Sequence, residues 1–408
     1  MRDHAENPGV RAPLEALNFF MADMQAGIGP FLGVFLQQHG WATGAIGAVM
    51  SLGGVAGVAC AAPAGAMVDA TSRKRAWIIV SGVMTVLASG LIFISQRFWV
   101  VAASQVATAI AGAAIGPAVV GVTLGIARQA GFNAQNGRNQ AFNHAGNMAG
   151  AALSGLLGWR FGFFAVLLLA AAFAALSIVS VLMIPRRAVD DRAARGLSSG
   201  ADGGGPRGLK VLFERKPLLV LGAALALFHL GNAAMLPLYG MAVVAAHRGD
   251  PAGFVALTIV VAQGVMVAAS LIAMRLAERR GYWLVLLIAF AALPIRGLLA
   301  ASLINGWGVW PVQALDGIGA GLQSVAVPGL AARIMDGTGR VNAAQGALMT
   351  IQGLGAALSP ALGGWMAQSV GYPATFALLG AFALGSMALW LGFAPLLRPA
   401  CAAPAKTA

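Results

Sequence analysis

Asp23, His144, His229, Arg296 and Asp316 of this 408-residue sequence are ionisable side chains deep inside long apolar runs. In hydrocarbon each costs a few kcal/mol or more, which makes each a functional candidate. Asp23 lies about 14 Å along the first run if that run is helical. A lone carboxylate at that depth can take up and release a proton; the plainer reading is an acceptor for hydrogen bonds from a neighbouring helix. Arg296 and Asp316 are read together. One lies near the end of its run and the other near the start of the next, so both fall roughly 10–12 Å below the same surface. An ion pair between adjacent helices relieves both burial penalties; the alternative is that Arg296 binds an anionic group directly.

Neutral polar residues form a second pattern. Gln140, Asn147 and Ser154 recur at one interval, as do Gln345, Gln352 and Ser359. That interval is two helical turns, which places each set on one helix face. Asn143 and His144 lie close to the first stripe, and His229, Asn232, Gln25, Gln105, Gln263 and Gln313 add further donors and acceptors. One reading is a polar cavity wall that hydrogen-bonds a solute. The other is bonding between helices, worth about 0.6 kcal/mol per contact in membranes. A lone helical histidine such as His229 is more often a packed residue than a proton carrier. The amide-rich set suits a polar or anionic solute better than a lipophilic cation.

These residues need a scaffold, and composition says which kind. Hydrophobic residues make up 59% of the chain, charged residues 10%, and mean hydropathy is +0.80. A soluble protein carries roughly 25% charged residues, so water-soluble enzymes, disulfide scaffolds and disordered chains are excluded. The sequence reads as an all-α, polytopic membrane protein. Twelve runs reach the length of about 20 residues that a span requires: 14–37, 44–68, 76–95, 99–127, 140–158, 161–184, 217–245, 252–277, 282–303, 308–333, 345–369 and 373–397. Tight hairpins are expected at Gly158–Gly162 and Gly371–Pro373.

The net charge of +13 comes from basic residues that punctuate apolar runs, not from a nucleic-acid patch. With the N-terminus inside, every one of the 26 Lys and Arg except Arg97, Arg160, Arg248 and Arg296 is cytoplasmic. Both termini are therefore expected in the cytoplasm, in the inner or plasma membrane. No cleavable signal peptide is expected. The polar stretch Arg186–Lys216 reads as a flexible linker. It divides the chain into an N-terminal six-helix bundle (1–185), the linker (186–216) and a C-terminal six-helix bundle (217–408). The halves are related: Gly150-Ala-Ala-Leu-Ser154 recurs as Gly355-Ala-Ala-Leu-Ser359, and at the same offset Gln140 matches Gln345 and Gly112 matches Gly317. Duplicated sets of six spans are a transporter plan.

The loop after the second run reads Gly65-Ala-Met-Val-Asp69-Ala-Thr-Ser-Arg73-Lys74-Arg75, with a weaker copy at Arg275-Leu-Ala-Glu278-Arg279-Arg280-Gly281. This resembles the cytoplasmic signature of the major facilitator superfamily, with Ser72 where the family usually has Gly. Span count, central linker and duplication extend the resemblance over the whole chain. Two departures stand beside it. The fourth run lacks the family's embedded Arg, having Thr108-Ala-Ile-Ala-Gly112, and the fifth lacks the Gly-Pro of drug antiporters. Both weaken a drug-export assignment.

The resemblance implies two pseudo-symmetric six-helix bundles that rock around a central cavity lined by the first, fourth, seventh and tenth helices. Together with the polar pattern above, the expected coupling and substrate set is Asp23, Asn143, His144, Asn147, His229, Asn232, Gln313, Asp316, Gln345 and Gln352. The resemblance also implies a cytoplasmic gate at Gly65, Asp69, Arg73, Lys74, Arg75, Glu278 and Arg279. The expected activity is secondary transport of a small organic solute, coupled to protons, with export favoured. Proton-driven uptake of an organic anion or metal chelate is the alternative. The expected partners are solute, protons and the lipid bilayer, with no nucleic acid, and the chain is expected to act as a monomer. No phosphate-binding loop, no clustered metal ligands and no nucleophile–base pair is visible, so no enzyme activity, cofactor or metal is expected. A non-transporting sensor would be expected to carry a sizeable soluble domain.

Overall fold

The computed structural model describes residues 8–26, 29–190, 213, 215–246, 250–335 and 341–402. Among these the regular structure is helical and no strand occurs. The helices are α1 (Pro8–Ala26), α2 (Gly29–Gln38), α3 (Thr43–Ala70), α4 (Lys74–Ile94), α5 (Phe98–Ala113), α6 (Ile115–Phe161) and α7 (Phe163–Met183), followed by α8 (Lys216–Asn232), α9 (Met235–Ala245), α10 (Pro251–Arg280), α11 (Tyr282–Ser302), α12 (Val309–Ile334), α13 (Val341–Val370), α14 (Tyr372–Gly392) and α15 (Ala394–Cys401). Helices follow from the solvent: a backbone in hydrocarbon must satisfy its polar groups within the segment. The expected runs coincide largely with helix among the described residues, although the run 217–245 breaks at 233–234 and residues 27–28 of the first run lie outside them. Eight helical stretches among the described residues are long and apolar enough to cross a membrane by length and composition.

The hairpins form as the glycines require. Gly162 and Gly371 stand alone between helices at φ 80° and 81°, a left-handed conformation open to glycine at no steric cost. The expected loop between residues 127 and 140 does not form. Helix runs on through it to Phe161, interrupted only at Arg128, which has φ 55° and pairs with Asp190 at 3.4 Å. The polar residues of that stretch are helix-compatible, so loss of apolar character did not mean loss of helix. Most of the expected linker, residues 191–212, lies outside the described residues.

Contacts divide the chain into two compact units: residues 1–39 with 52–203, and residues 40–51 with 204–408. In the first unit α1 packs on α6 and α7, and α4 on α5 and α7; in the second α8 packs on α13 and α14, and α11 on α12 and α14. These four pairings in each unit correspond once the repeated runs are aligned. The core of the first unit joins Leu14 and Leu17 of α1, Val68 of α3, Ile78 of α4, Val122 of α6 and Val181 of α7.

The grouping departs from the expected boundary, because residues 40–51 belong with the second unit. Glycine explains the departure. A Cβ on Gly47 would stand 2.0 Å from the Pro360 carbonyl oxygen, and one on Gly364 would stand 2.4 Å from that of Thr43. Only bare backbone permits this approach, and the Thr43 hydroxyl donates to the Gly364 carbonyl at 3.1 Å.

Candidate functional site

In the second unit, α8, α11 and α12 bring four polar side chains together. Arg296 projects from α11 and Asp316 from α12, and Nη1 lies 2.8 Å from Oδ1. Arg296 is 1% exposed and the Asp316 side chain 15%. Asn232 of α8 bridges them, accepting from Arg296 Nη1 at 2.7 Å and donating to Asp316 Oδ1 at 3.2 Å. Gln313 accepts from Arg296 Nη2 at 3.3 Å. The guanidinium thus meets one charge and two amide oxygens, which offsets the cost of burying it. Arg296 Nε and Gln313 Nε2 remain buried without a partner.

Asn232 also faces a cavity of about 380 Å³ between α8, α12 and α13, a size suited to a small organic molecule. Its polar wall comes from His229, Asn232, Gln323, Gln345 and Gln352, with the Phe228 ring among its apolar lining. Among the described residues no charged one lines it. Gln323 is 6% exposed. Its amide lies beside the His229 imidazole, yet neither its oxygen nor its nitrogen has a partner in hydrogen-bonding geometry. A buried amide left in that state costs about 1–3 kcal/mol, so it is a ready donor and acceptor for a solute.

The two polar stripes divide by task. Gln345 and Gln352 line the cavity, whereas the Ser359 hydroxyl accepts from the Ala234 N–H at 2.8 Å and caps the start of α9 after the break at 233–234. In the first unit, Asn147 donates to Asn143 at 3.3 Å, and Asn143 donates to the Asn18 carbonyl at 3.4 Å. Those residues tie α6 to α1 where a Cβ on Gly146 would meet the Phe19 carbonyl at 2.0 Å. His144 is half-buried on the same helix. Asp23 and Asp69 stand on α1 and α3, but their side chains lie outside the described residues.

The basic run does not act as one surface cluster. Lys74 is 2% exposed, and its Nζ donates to the Val68 carbonyl at 2.9 Å, closing the C-terminus of α3. Arg75 donates to the carbonyls of Val181 and Leu182, each at 3.0 Å, at the end of α7. Arg73 is exposed, Gly65 is half-buried in α3, and Glu278 and Arg279 are exposed at the end of α10.

One polar network has no counterpart among the sequence candidates. Glu15 of α1 accepts from Arg11 at 2.7 Å and lies 3.4 Å from Arg138 of α6. Arg138 donates to Gln135, Gln135 to Asn139, and Asn139 to Thr123, at 2.6, 2.9 and 2.9 Å. Gln135, Asn139 and Thr123 are buried. The available signal was the position of Glu15, just inside the first apolar run.

The profile of the Major Facilitator Superfamily matches residues 15–344. Two uncharacterized MFS-type transporters of Mycobacterium tuberculosis, from strains CDC 1551 / Oshkosh and H37Rv, are each 37% identical over 387 residues, 94% of this chain and 93% of theirs. Among solved structures, nucleoside transporter NupG aligns with TM-score 0.74 at 16% identity, covering 95% of this chain and 99% of that one. A bacterial homolog to the human lysosomal transporter Spinster aligns with TM-score 0.73 at 14% identity, covering 98% and 100%. At such identities these two likenesses speak for the fold alone.

Proposed function

The chain belongs to the major facilitator superfamily and is a multi-pass membrane transporter, and from that premise we propose that it moves a small polar organic solute by proton-coupled alternating access. The second unit's cavity is the proposed solute site. Its amides and imidazole bind by hydrogen bonds, and the buried pair beside it is the charge-bearing element. The observation that carries the reading is the double role of Asn232, which lines the cavity and bonds to both Arg296 and Asp316.

Asp316 is the proposed proton carrier of this unit, alongside Asp23 of α1. Protonating Asp316 removes the charge that holds Arg296, and the guanidinium must then lean on the Asn232 and Gln313 oxygens alone. Such a change in one buried pair gives two discrete arrangements, which alternating access needs. Twelve spans, both termini in the cytoplasm and a cytoplasmic gate at Arg73 and Asp69 complete the proposal, supported by the distribution of basic residues. Export is favoured on the family resemblance. Uptake of an organic anion through Arg296 is the weaker reading, because Arg296 is already neutralised by Asp316 and does not line the cavity.

Thermal-shift screening of the purified protein against metabolite, chelate and drug libraries, followed by proteoliposome flux under an imposed pH gradient, tests the reading. Flux of the identified solute should follow the gradient in the wild type and lose that dependence in Asp316→Asn or Asp23→Asn. Flux indifferent to the gradient in the wild type overturns proton coupling.

A further inference from the structure

Gln323 of α12 lines the cavity of the second unit from a position that is 6% exposed. Its carboxamide has the His229 imidazole of α8 beside it, and neither its oxygen nor its nitrogen has a partner in full hydrogen-bonding geometry. The two atoms need opposite things. The nitrogen donates and the oxygen accepts, side by side in one plane. A single group satisfies both only if it presents an acceptor and a donor at the same spacing. Carboxamides, lactams, ureides and the pairing edges of nucleobases do so; the bidentate contact of Gln or Asn with adenine is an instance. Ions do not. A carboxylate accepts from the nitrogen and leaves the amide oxygen facing a second oxygen. An ammonium or amidinium donates to the oxygen and leaves the amide nitrogen facing a second donor. Either way one buried polar atom stays orphaned, which weakens binding about tenfold.

The rest of the wall extends the pattern. Gln345 and Gln352 stand two helical turns apart on one face of α13 and bring two further carboxamides to the cavity. Asn232 has a donor and an acceptor already engaged by Asp316 and Arg296, so the paired edge falls to the glutamines. Phe228 of α8 adds an aromatic ring to the lining, an apolar surface for the face of a conjugated molecule. Resting on the reading of this cavity as the solute site, we propose that the solute is neutral and conjugated, with an amide-type donor–acceptor edge paired to Gln323 and its ring against Phe228. The selectivity comes from the pairing itself. An ion of the same shape enters the same space, but it cannot satisfy both ends of the buried carboxamide.

The test uses the full chain in detergent micelles and four probes of similar shape: benzamide, benzoate, benzamidinium and N,N-dimethylbenzamide. They present a donor with an acceptor, acceptors alone on an anion, donors alone on a cation, and an uncharged acceptor alone. Affinity is read by calorimetry. Location is read at Met349→Cys, an exposed position on the cavity wall, in a chain that also carries Cys60→Ala and Cys401→Ala; a bound probe slows maleimide labelling there. Benzamide should protect that position and bind about tenfold more tightly than each of the other three. Gln323→Leu keeps the apolar wall and removes the paired edge, so it should level the four affinities. Benzoate or benzamidinium that protects as well as benzamide overturns the neutral edge and leaves the cavity standing as the solute site. A preference for benzamide that survives Gln323→Leu overturns the role of Gln323. Failure of all four probes to protect the Met349→Cys position overturns the reading of the cavity as the solute site, and this inference with it.

Discussion

Arg296 Nη1 on α11 lies 2.8 Å from Asp316 Oδ1 on α12, in a part of the second unit where the arginine is 1% exposed. Removing either partner leaves a buried charge without its counterion, which typically costs about 3–5 kcal/mol. Arg296→Gln and Asp316→Asn should therefore each lower the melting temperature strongly. The double variant should cost much less than the two losses added together, and the charge swap should recover part of the loss. Additive losses in the double-mutant cycle would show that the proximity carries no energetic coupling.

Gln323 is expected to behave in the opposite way. Its amide is buried with only the His229 imidazole beside it and no partner in full hydrogen-bonding geometry, so Gln323→Leu removes a desolvation penalty and adds apolar contact. Without solute the melting temperature should stay level or rise, by about 1 kcal/mol of stability. The variant should also lose most of the stabilisation that a solute gives the wild type. A large destabilisation of the empty protein would mean that the amide serves the fold.

Two glycines of one helix separate close packing from open space. A Cβ on Gly364 would meet the Thr43 carbonyl at 2.4 Å, while nothing lies within 4 Å of one on Gly346. Gly364→Ala should cost about 1–3 kcal/mol through forced separation of backbones. Gly346→Ala, exposed on α13, should gain up to about 1 kcal/mol from helix propensity. Equal shifts in melting temperature for the two variants would contradict this contact.

The two cysteines should differ in reactivity. Burial pushes the Cys401 thiol up to about 12, with the Arg333 charge acting weakly the other way. The reactive species is the thiolate, so at pH 8 almost none is present at Cys401. Cys60, in α3, is partly exposed. Maleimide labelling of the folded protein at pH 8 should modify Cys60 alone, and Cys401 only after denaturation. Prompt labelling of Cys401 in the folded state would show that α15 opens.

Much of the fold is written in hydropathy, because the solvent requirement acts on every residue of a span. The long apolar helices and the two glycine hairpins follow from that requirement together with the left-handed glycines. The Arg296–Asp316 proximity followed from depth alone, since two lone opposite charges at one level of adjacent helices have few other partners. What stayed hidden depends on which way a side chain turns. Arg73, Lys74 and Arg75 are alike in sequence, but the start of α4 points Lys74 inward to the carbonyls of α3. Gln345, Gln352 and Ser359 share one helix face, yet only the first two reach a cavity, because the break before α9 takes Ser359 as its cap. The Glu15–Arg138 network was missed because Arg138 reads as a loop residue until the helix is seen to continue through it.

Asn232 has a single amide, and that amide touches both the guanidinium and the carboxylate while its side chain borders the cavity. Whatever solute draws on the amide therefore alters the strength of the charge pair, and by thermodynamic reciprocity the state of the pair alters the affinity for the solute by the same factor. If solute binding releases or takes up a proton at Asp316, the apparent affinity must shift with pH to match. Occupancy of the cavity and protonation of the acid are then two readings of one equilibrium, joined at a side chain that carries no charge.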